Sequence, residues 1–251
     1  MQRAARRLTC GLNPRQARAS VSPVAVKVLV VDIGGNHVKL LASGRRRVRK
    51  LPSGRTLTPG RMVAAIRKET ADWRYGAVAI GFPGAVRNGR IAAEPFNLGR
   101  GWKRFDFRRG FGRPVRIIND ALMQALGSYK RGRLLFLGLG TGLGSALVIE
   151  GAAQPLELAH LQYRDGLTYE DLLGKRSLDA LGKKRWRRLV FEIVPRLMAA
   201  FQVDEVVLGG GNVKQLRSLP RGCRRGDNSN AFAGGFRLFP GRSRAPRPGR
   251  R

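Results

Sequence analysis

Runs of consecutive apolar residues, rather than strict alternation, recur along this chain and predict buried strands. Lys27–Asp32 contains four apolar residues before its acid, which is typical of a strand buried on both faces. His37–Ala42 alternates weakly and could pair with that strand as a hairpin. Further apolar strands are predicted over Tyr75–Gly81, Val115–Ile118, Leu134–Leu139, Ser145–Ile149 and Glu205–Leu208.

A helix is predicted to begin at Thr58-Pro59, because proline is favoured at the first helical position. It would run to about Trp73, with Met62 and Ile66 on its buried face. A longer helix is predicted over 183–201, where apolar residues repeat at spacings of three and four. Two further helices are predicted, from Asp120 to about Tyr129 and over Asn228–Phe239.

The helix over 183–201 contains Pro195, which removes a helical hydrogen bond and should kink it. Its polar side is rich in lysine and arginine. Strands and helices alternate along the rest of the chain, and this order favours an α/β fold.

Most of the predicted strands end at an acid or a glycine turn. In open α/β sheets, ligands bind beyond the carboxyl ends of the strands, so these ends predict one shared cleft. The turns after two hairpin-like strands, Gly34-Gly35 and Gly140–Gly144, also hint at a duplicated half. The strand ends in question are Asp32, Gly81, Asp120, Gly140 and Gly209.

Both glycine turns could bind a phosphate, because glycine lets several backbone N–H groups converge on one anion. Thr141 would add a hydroxyl group to the second turn. Neither turn has the Walker pattern or the dinucleotide G-x-G-x-x-G pattern. A tight hairpin is the alternative for each.

Asp32 and Lys39 flank the first turn and have two interpretations each. Asp32 could hold Mg²⁺ through water, since Mg²⁺ keeps part of its hydration shell, or it could simply initiate a turn. Lys39 could balance phosphate charge, or it could face outward from the second strand.

A second group of polar residues could serve an acceptor molecule. Asp120 could be a general base that orients a hydroxyl and takes its proton, or it could be a helix N-cap. Glu157 and His160 are three residues apart, and on a helical turn they would share a side and bind sugar hydroxyls. They could instead hold a metal, or His160 could be structural. Asn97 is either a ligand-binding residue or a turn residue.

The formal net charge is +33, which indicates attraction to polyanions such as nucleic acid, anionic lipid or polyphosphate, or else only a solubilising surface. Ten of the positive charges lie in residues 1–25 and 240–251, which have no acid and are expected to be disordered. The N-terminal segment is similar to a transit peptide in composition only, and an over-extended start with a folded protein from near Val26 is the alternative.

Two isolated cysteines, Cys10 and Cys223, indicate a reducing compartment and leave no cysteine cluster for zinc. The longest apolar runs are too short to span a membrane. A cytoplasmic protein without membrane partners is therefore expected.

Seven segments in order resemble the motifs of ROK sugar kinases, and most closely those of the polyphosphate glucokinase branch. The resemblance runs from about Val26 to Phe239. It rests on VDIGGNHVK, GFPGAV with the Asn97–Trp102 segment, IINDA, LGLGTGLGSAL, ELAH, VVLGGGN, and the late CRRGDNSNAFAGGFRLF with the GKKRWRR run.

This resemblance implies a two-lobed actin/hexokinase-like α/β fold with RNase H-like halves and a central cleft. A small lobe would span 26–118 and a large lobe 119–239, with the last helix packing back on the small lobe. The implied reaction is phosphoryl transfer from polyphosphate, ATP or both, with Mg²⁺, to the 6-hydroxyl of glucose. A homodimer is also implied.

The resemblance gives each candidate residue a role. Asp120 would be the catalytic base and Asp32 the Mg²⁺ partner. The expected sugar-binding residues are Asn97, Asn119, Glu157 and His160. The expected phosphate-binding residues are Asp32, Gly34, Gly35, Asn36, Lys39, Gly140, Thr141, Gly142, Gly144, Gly209, Gly210 and Gly211.

Several differences from the ROK motifs change what the resemblance implies about cofactors, partners and the sugar site. The cysteine-rich zinc motif that many ROK proteins carry after E-x-G-H is absent at 161–166, so no zinc is expected. Twenty-five residues before Val26 cannot form the helix-turn-helix of ROK repressors, which makes a nucleic-acid partner unexpected. Ala159 replaces the glycine of E-x-G-H, and this requires a negative φ there. An ATP-only kinase for another hexose and a polyanion-binding protein are the alternatives.

Overall fold

The computed structural model describes residues 26–227 and 229–239. The two expected tails and Asn228 lie outside this part of the chain. The first half contains seven strands and two helices, which are β1 (Val28–Ile33), β2 (His37–Ala42), β3 (Arg49–Pro52), α1 (Pro59–Glu69), β4 (Ala77–Phe82), β5 (Val86–Arg87), β6 (Arg90–Ile91), α2 (Phe107–Phe111) and β7 (Val115–Asn119).

The second half begins with a helix directly after β7. Its elements are α3 (Asp120–Ser128), β8 (Arg133–Leu139), β9 (Leu143–Ile149), β10 (Ala152–Leu156), β11 (Gln162–Arg164), β12 (Leu167–Thr168), α4 (Tyr169–Leu173), α5 (Lys175–Ala200), β13 (Glu205–Gly209), β14 (Cys223–Arg225) and α6 (Asn230–Arg237). Short 3-10 helices cover Leu158–His160 and Gly211–Gln215.

Each half contains a five-stranded sheet of the same topology. The first has the order β3-β2-β1-β4-β7 and the second β10-β9-β8-β13-β14. In both, the first three strands of the half pair antiparallel and the last two join in parallel. The α/β fold class and the duplicated half are thereby confirmed.

The core of the first half lies between its sheet and α1. Thr58 caps α1 and accepts a hydrogen bond from the Arg61 N–H at 3.4 Å, and Pro59 takes the first helical position, as predicted. Met62 and Ile66 are fully buried against the sheet. The helix ends at Glu69 rather than near Trp73, with Thr70 as its C-cap.

The long helix α5 covers the second sheet with the apolar face that its period predicts, including Trp186, Val190 and Ile193. The predicted kink at Pro195 is wrong. The backbone departs from helical angles at Gly182 instead, where φ is +73°, a conformation that glycine adopts without strain.

Helix α6 packs against α3 and against β1 of the first sheet. Its backbone lies very close to that of α3: a Cβ on Gly234 would meet the Met123 carbonyl oxygen at 1.8 Å. Phe232 and Ala231 pack with Val30, Ala79 and Met123 in a buried cluster. The C-terminal helix therefore joins elements of both halves.

None of the helices in residues 26–227 and 229–239 combines the length and the apolar character that crossing a bilayer requires.

Candidate active site

The carboxyl ends of β1, β4 and β7 lie side by side. Asp32 is paired with Gly81 across the β1–β4 ladder, and Gly81 is paired with Ile118 across β4–β7. Asp120 follows β7 directly and begins α3. Two of the acids singled out from the sequence therefore meet at one edge of the first sheet.

The carboxyl group of Asp120 belongs to a half-buried residue near two other acids. Burial raises its pKa to about 7, and the charges of Asp32 and Glu157 act in the same direction. The hydrogen bond from the Ala121 N–H to Oδ1, at 2.8 Å, opposes this rise. Because the charge of Glu157 acts on Asp120, a residue of the second half lies near this edge of the first sheet.

Asn119, and not Asp120, is the N-cap of α3. Its Oδ1 accepts a hydrogen bond from the Leu122 N–H at 3.1 Å, so the N-cap alternative for Asp120 is wrong. The Asn119 Nδ2 donates to the Gly84 carbonyl oxygen at 3.2 Å and fixes the turn after β4. Asn119 thus positions the start of α3, and its contact with a sugar stays a prediction.

Asp32 lies within β1 and is 7% exposed. The Lys39 ammonium, its partner across the β1–β2 ladder, lies 3.3 Å from Oδ2. Burial raises the pKa of Asp32, and Lys39 partly offsets that rise. These contacts contradict the turn-initiating alternative for Asp32 and the outward-facing alternative for Lys39.

The first glycine turn has a closed base and an open tip. The Gly34 N–H donates to the His37 carbonyl oxygen at 2.9 Å, and the Asn36 carbonyl oxygen accepts from the Ser53 N–H at 3.1 Å. A Cβ on Gly35 would meet nothing within 4 Å. A lone carboxylate such as that of Asp32 is the kind of group that would hold a Mg²⁺ ion which keeps most of its water and also binds donor phosphates.

The second glycine turn is held by residues that the sequence analysis did not select. Asn212 donates from Nδ2 to the Gly140 carbonyl oxygen at 2.8 Å. The Glu170 carboxylate accepts from the Leu143 N–H at 2.9 Å and leaves no room for a Cβ at Gly142. Part of the turn's donor capacity is therefore satisfied within the protein, while Thr141 at its tip is exposed.

Gly144 connects this turn to the helix of Asp120, because a Cβ there would lie 3.0 Å from the Ala121 side chain. The third turn is different. Gly209 packs against Phe136, and Gly210, with φ of +85°, lies against the Leu139 backbone. Packing explains both of these glycines. The position of Gly211 is open, and the phosphate roles of all three stay predictions.

Glu157 and His160 are exposed at the two ends of the 3-10 turn Leu158–His160. The Ser145 hydroxyl fixes this turn, since it donates to the Leu156 carbonyl oxygen at 2.9 Å and accepts from the Leu158 N–H at 3.2 Å. Replacement of the motif's glycine by Ala159 required a negative φ. Among the described residues, Ala159 is not one of those with a positive φ.

Asn97 lies exposed in a loop that Glu94 closes. The Glu94 carboxylate accepts backbone hydrogen bonds from Gly101 at 2.9 Å, Trp102 at 3.1 Å and Lys103 at 3.2 Å. Desolvation alone would raise the pKa of Glu94, but these three donors lower it. In the sequence, an acid shortly before a glycine-containing loop was the signal that could have identified Glu94.

Among the residues that the structure describes, no three or more His, Cys, Asp or Glu side chains form a group that could hold a metal ion. The metal-binding alternative for Glu157 and His160 therefore lacks the further ligands it would need.

A family model described as the ROK family matches residues 28–155, just over half of the chain. The chain belongs to the ROK family. The matched range contains both glycine turns of the hairpin strands and the Asp120 segment. It ends before Glu157 and before the third glycine turn.

Among curated proteins, the chain is similar to the bifunctional enzyme NanE/NanK of Brucella melitensis. It is 34% identical over 160 residues, which cover 55% of this chain and 29% of the relative. The chain thus spans less than a third of the length of that relative.

Solved structures share the ROK fold. The inorganic polyphosphate/ATP-glucomannokinase of Arthrobacter sp. strain KM has a TM-score of 0.73 and 23% identity, over 85% of this chain and 98% of that chain. A ROK family glucokinase of Streptomyces griseus, in complex with glucose and AMPPNP, has a TM-score of 0.68 and 17% identity, over 85% and 98%. These matches confirm the two-lobed fold with a central cleft.

Proposed function

We propose that this chain is a sugar kinase that transfers a phosphoryl group from polyphosphate, ATP or both to the 6-hydroxyl of glucose, giving glucose 6-phosphate. The observation that carries the proposal is the position of Asp120. It follows β7 at the edge of the first sheet, where burial and the charges of Asp32 in β1 and Glu157 before the 3-10 turn all raise its pKa. Membership in the ROK family supports it.

On the acceptor side, Asp120 would accept the proton of the 6-hydroxyl as that oxygen attacks phosphorus. Glu157, His160 and Asn97, with Asn119 at the base of the cleft, would orient the sugar through its other hydroxyls. Glu157 and His160 are exposed, so their side chains are accessible to a sugar. Closure of the cleft would then exclude water from the reacting atoms.

On the donor side, Lys39 and the open tips of the glycine turns would surround the phosphates. Gly34–Asn36 and Gly140–Gly144 belong to the two halves, and Gly209–Gly211 would add the third turn. Asp32 would hold Mg²⁺ through water, and the bound ion would neutralise charge on the donor phosphates. Phosphoryl transfer needs this positioning and charge balance more than covalent help from the protein.

The domain division is part of the proposal. The small lobe would span 26–118 and the large lobe 119–239, and the contact of α6 with both α3 and β1 supports a C-terminal helix that returns to the small lobe. Homodimerisation and a cytoplasmic location stay predictions.

Polyphosphate is our preferred donor because a basic protein with a net charge of +33 attracts an anionic chain of high charge density. The similarity in fold to the Arthrobacter polyphosphate/ATP enzyme supports this choice. A polyanion-binding protein on a kinase-derived scaffold would share the charge but would not need Asp120.

An ATP-only kinase for another hexose is a second candidate, and two similarities to known proteins favour a sugar other than glucose. The curated relative is named as NanE/NanK, and a Listeria monocytogenes protein described as a putative N-acetylmannosamine kinase shares the fold with a TM-score of 0.67 and 17% identity over 85% of this chain and 98% of that chain.

A donor assay distinguishes these functions. Purified protein is given glucose, mannose or N-acetylmannosamine with either polyphosphate or ATP, and sugar phosphate is measured. We expect glucose 6-phosphate with at least one donor, and with polyphosphate in particular. Turnover with ATP alone would make the donor assignment wrong, and turnover only with N-acetylmannosamine would make the sugar assignment wrong. Absence of any sugar phosphate would contradict the kinase proposal.

The pH dependence should reveal the raised pKa of Asp120. The base must be ionised, so kcat/KM for the sugar should rise about tenfold per pH unit up to about pH 7 and then level off. The profile is measured from pH 5.5 to 8.5, with circular dichroism at each pH to verify folding. A profile that is flat over this range would show that Asp120 does not titrate there as the base.

A further inference from the structure

The second and third glycine turns lie side by side at one edge of the second sheet. The strands that lead into them, β8 and β13, are parallel neighbours, and Gly138 is paired with Gly209. Directly after this pair the two chains are in close contact, because a Cβ on Gly210 would lie 2.4 Å from the Leu139 carbonyl oxygen. Two turns that are far apart in sequence therefore meet.

The side chain of Asn212 joins these two turns. Asn212 is half-buried on the 3-10 helix Gly211–Gln215, which follows the third turn, and it donates from Nδ2 to the Gly140 carbonyl oxygen at 2.8 Å. The 3-10 helix is itself held in place, since Arg225 donates from Nη1 to the Val213 carbonyl oxygen at 2.9 Å. The Asn212 amide thus reaches the second turn from a fixed support.

Other contacts hold the second turn on its opposite side. The Leu143 N–H donates to Glu170 of α4 at 2.9 Å, and the Lys175 N–H of α5 donates to the Thr141 carbonyl oxygen at 3.3 Å. These bonds connect the turn to α4 and α5 but not to the third turn. Within residues 26–227 and 229–239, the hydrogen bond of Asn212 is the one that links the second turn to the segment after β13.

Backbone N–H groups on both turns are available to a ligand. Those of Thr141, Gly142 and Gly210 have no hydrogen-bond partner in the described part of the chain. Thr141 is exposed, and Gly142 and Gly210 are half-buried, so all three residues can be reached from solvent. Free N–H groups on glycine turns are the groups that bind the oxygens of an anion.

We propose that Asn212 is a positioning residue for the phosphoryl donor, because it holds the second and third turns together as one anion-binding unit. The free N–H groups of both turns would then bind consecutive phosphates of a single donor. Polyphosphate and a nucleoside triphosphate share this chemistry. Asn212 would act through Gly140 and would not touch the donor itself. The assignment of this anion as the phosphoryl donor rests on the proposed function.

Two neutral substitutions remove the hydrogen bond. Asn212→Ala deletes the amide, and Asn212→Leu deletes it while nearly keeping the volume of the side chain. Neither changes the net charge, so the general attraction of this basic chain for anions stays the same. Gln215→Ala is the matched control, because Gln215 is a half-buried amide residue on the same 3-10 helix and only its backbone carbonyl oxygen takes part in a described bond, with Arg187. Thermal unfolding verifies that each variant is folded.

Steady-state kinetics measures KM for the donor and KM for the sugar separately. We expect KM for the donor to rise about fivefold in both Asn212 variants, the effect of losing roughly one hydrogen bond, while KM for the sugar stays unchanged. Gln215→Ala should match wild type in both constants. A purely structural role would reduce the amount of active protein without raising one KM alone. A donor KM within twofold of wild type, or an equal rise in both constants, would overturn the proposal.

Isothermal titration calorimetry with inorganic tripolyphosphate and with ADP, in the absence of sugar, tests the same unit without turnover. High salt is used because it screens exposed charges. At least one probe should bind wild type and Gln215→Ala equally, and about fivefold more weakly to both Asn212 variants. Equal affinity of all four proteins, or no binding of either probe by wild type, would contradict the role of Asn212. Absence of sugar phosphate in the kinase assay would instead contradict the proposed function, and this binding test would still apply.

Discussion

Asp120→Asn should lower kcat/KM for sugar phosphorylation by about 10³-fold, the largest catalytic effect expected for this chain. A positioned general base contributes roughly 10²- to 10⁴-fold, and asparagine cannot take the hydroxyl proton. The asparagine Oδ1 can still accept the Ala121 N–H, so the start of α3 should stay in place. Initial rates are measured with glucose and with each donor at pH 8, where Asp120 of the wild type is ionised.

Asp179→Asn is the matched control. Asp179 is exposed on α5, and among the described residues its one ion-pair partner is Lys175. It should leave kcat/KM unchanged. If kcat/KM falls less than tenfold in Asp120→Asn and is unchanged in Asp179→Asn, Asp120 is not the base.

Asp120→Asn should also be more stable against unfolding than wild type above pH 7. Burial and neighbouring acids raise the folded-state pKa of Asp120 from its ordinary 3.8 to about 7. Between these values the folded state binds more protons than the unfolded state, so the free energy of unfolding falls as the pH rises. Each unit of raised pKa corresponds to about 1.4 kcal/mol, a cost that asparagine avoids. Urea unfolding at pH 5 and pH 8 measures the difference.

Gly234→Ala should reduce the free energy of unfolding by about 3 kcal/mol, the largest effect on stability that we expect. The new Cβ would lie 1.8 Å from the Met123 carbonyl oxygen and 2.9 Å from the Gly127 backbone nitrogen. Both are backbone atoms of α3 and cannot move aside as a flexible side chain can. Overpacking of this kind costs about 1–3 kcal/mol or more, which exceeds the gain of about 1 kcal/mol in helix propensity.

Gly60→Ala provides the matched control for this substitution. Gly60 lies in the first turn of α1, where a Cβ would meet Phe105 at 3.8 Å, an ordinary contact. It should leave stability unchanged or raise it by up to about 1 kcal/mol. Thermal unfolding compares both variants with wild type. Equal stability of Gly234→Ala and Gly60→Ala would contradict the close crossing of α3 and α6.

The buried strands and α1 could be predicted from sequence because their signals are local. Apolar runs mark β1, β4 and β8, and Thr58-Pro59 marks the start of α1. The break of α5 at Gly182 could not be predicted, since a positive φ depends on how the two parts of the helix pack. Short edge strands such as β14 and β3 carry too few apolar residues to be recognised before their partners are known.

The candidate site was only partly predictable for a related reason. Asp32 and Asp120 end apolar strands, and strand ends converge in a parallel sheet. Glu170 and Asn212 act through backbone groups that are distant in sequence, at separations of 27 and 72 residues. No local pattern reports such contacts. Gly209 and Gly210 look like phosphate-binding residues in sequence, although close packing already requires glycine at both.

The most direct test of the account is the amount of glucose 6-phosphate formed by wild type and by Asp120→Asn in one assay with Mg²⁺ and both donors. We predict steady formation by the wild-type protein and a loss of about 10³-fold in the variant, with the variant still folded. Equal formation by the two proteins, or formation by neither, would contradict a sugar kinase in which Asp120 accepts the hydroxyl proton.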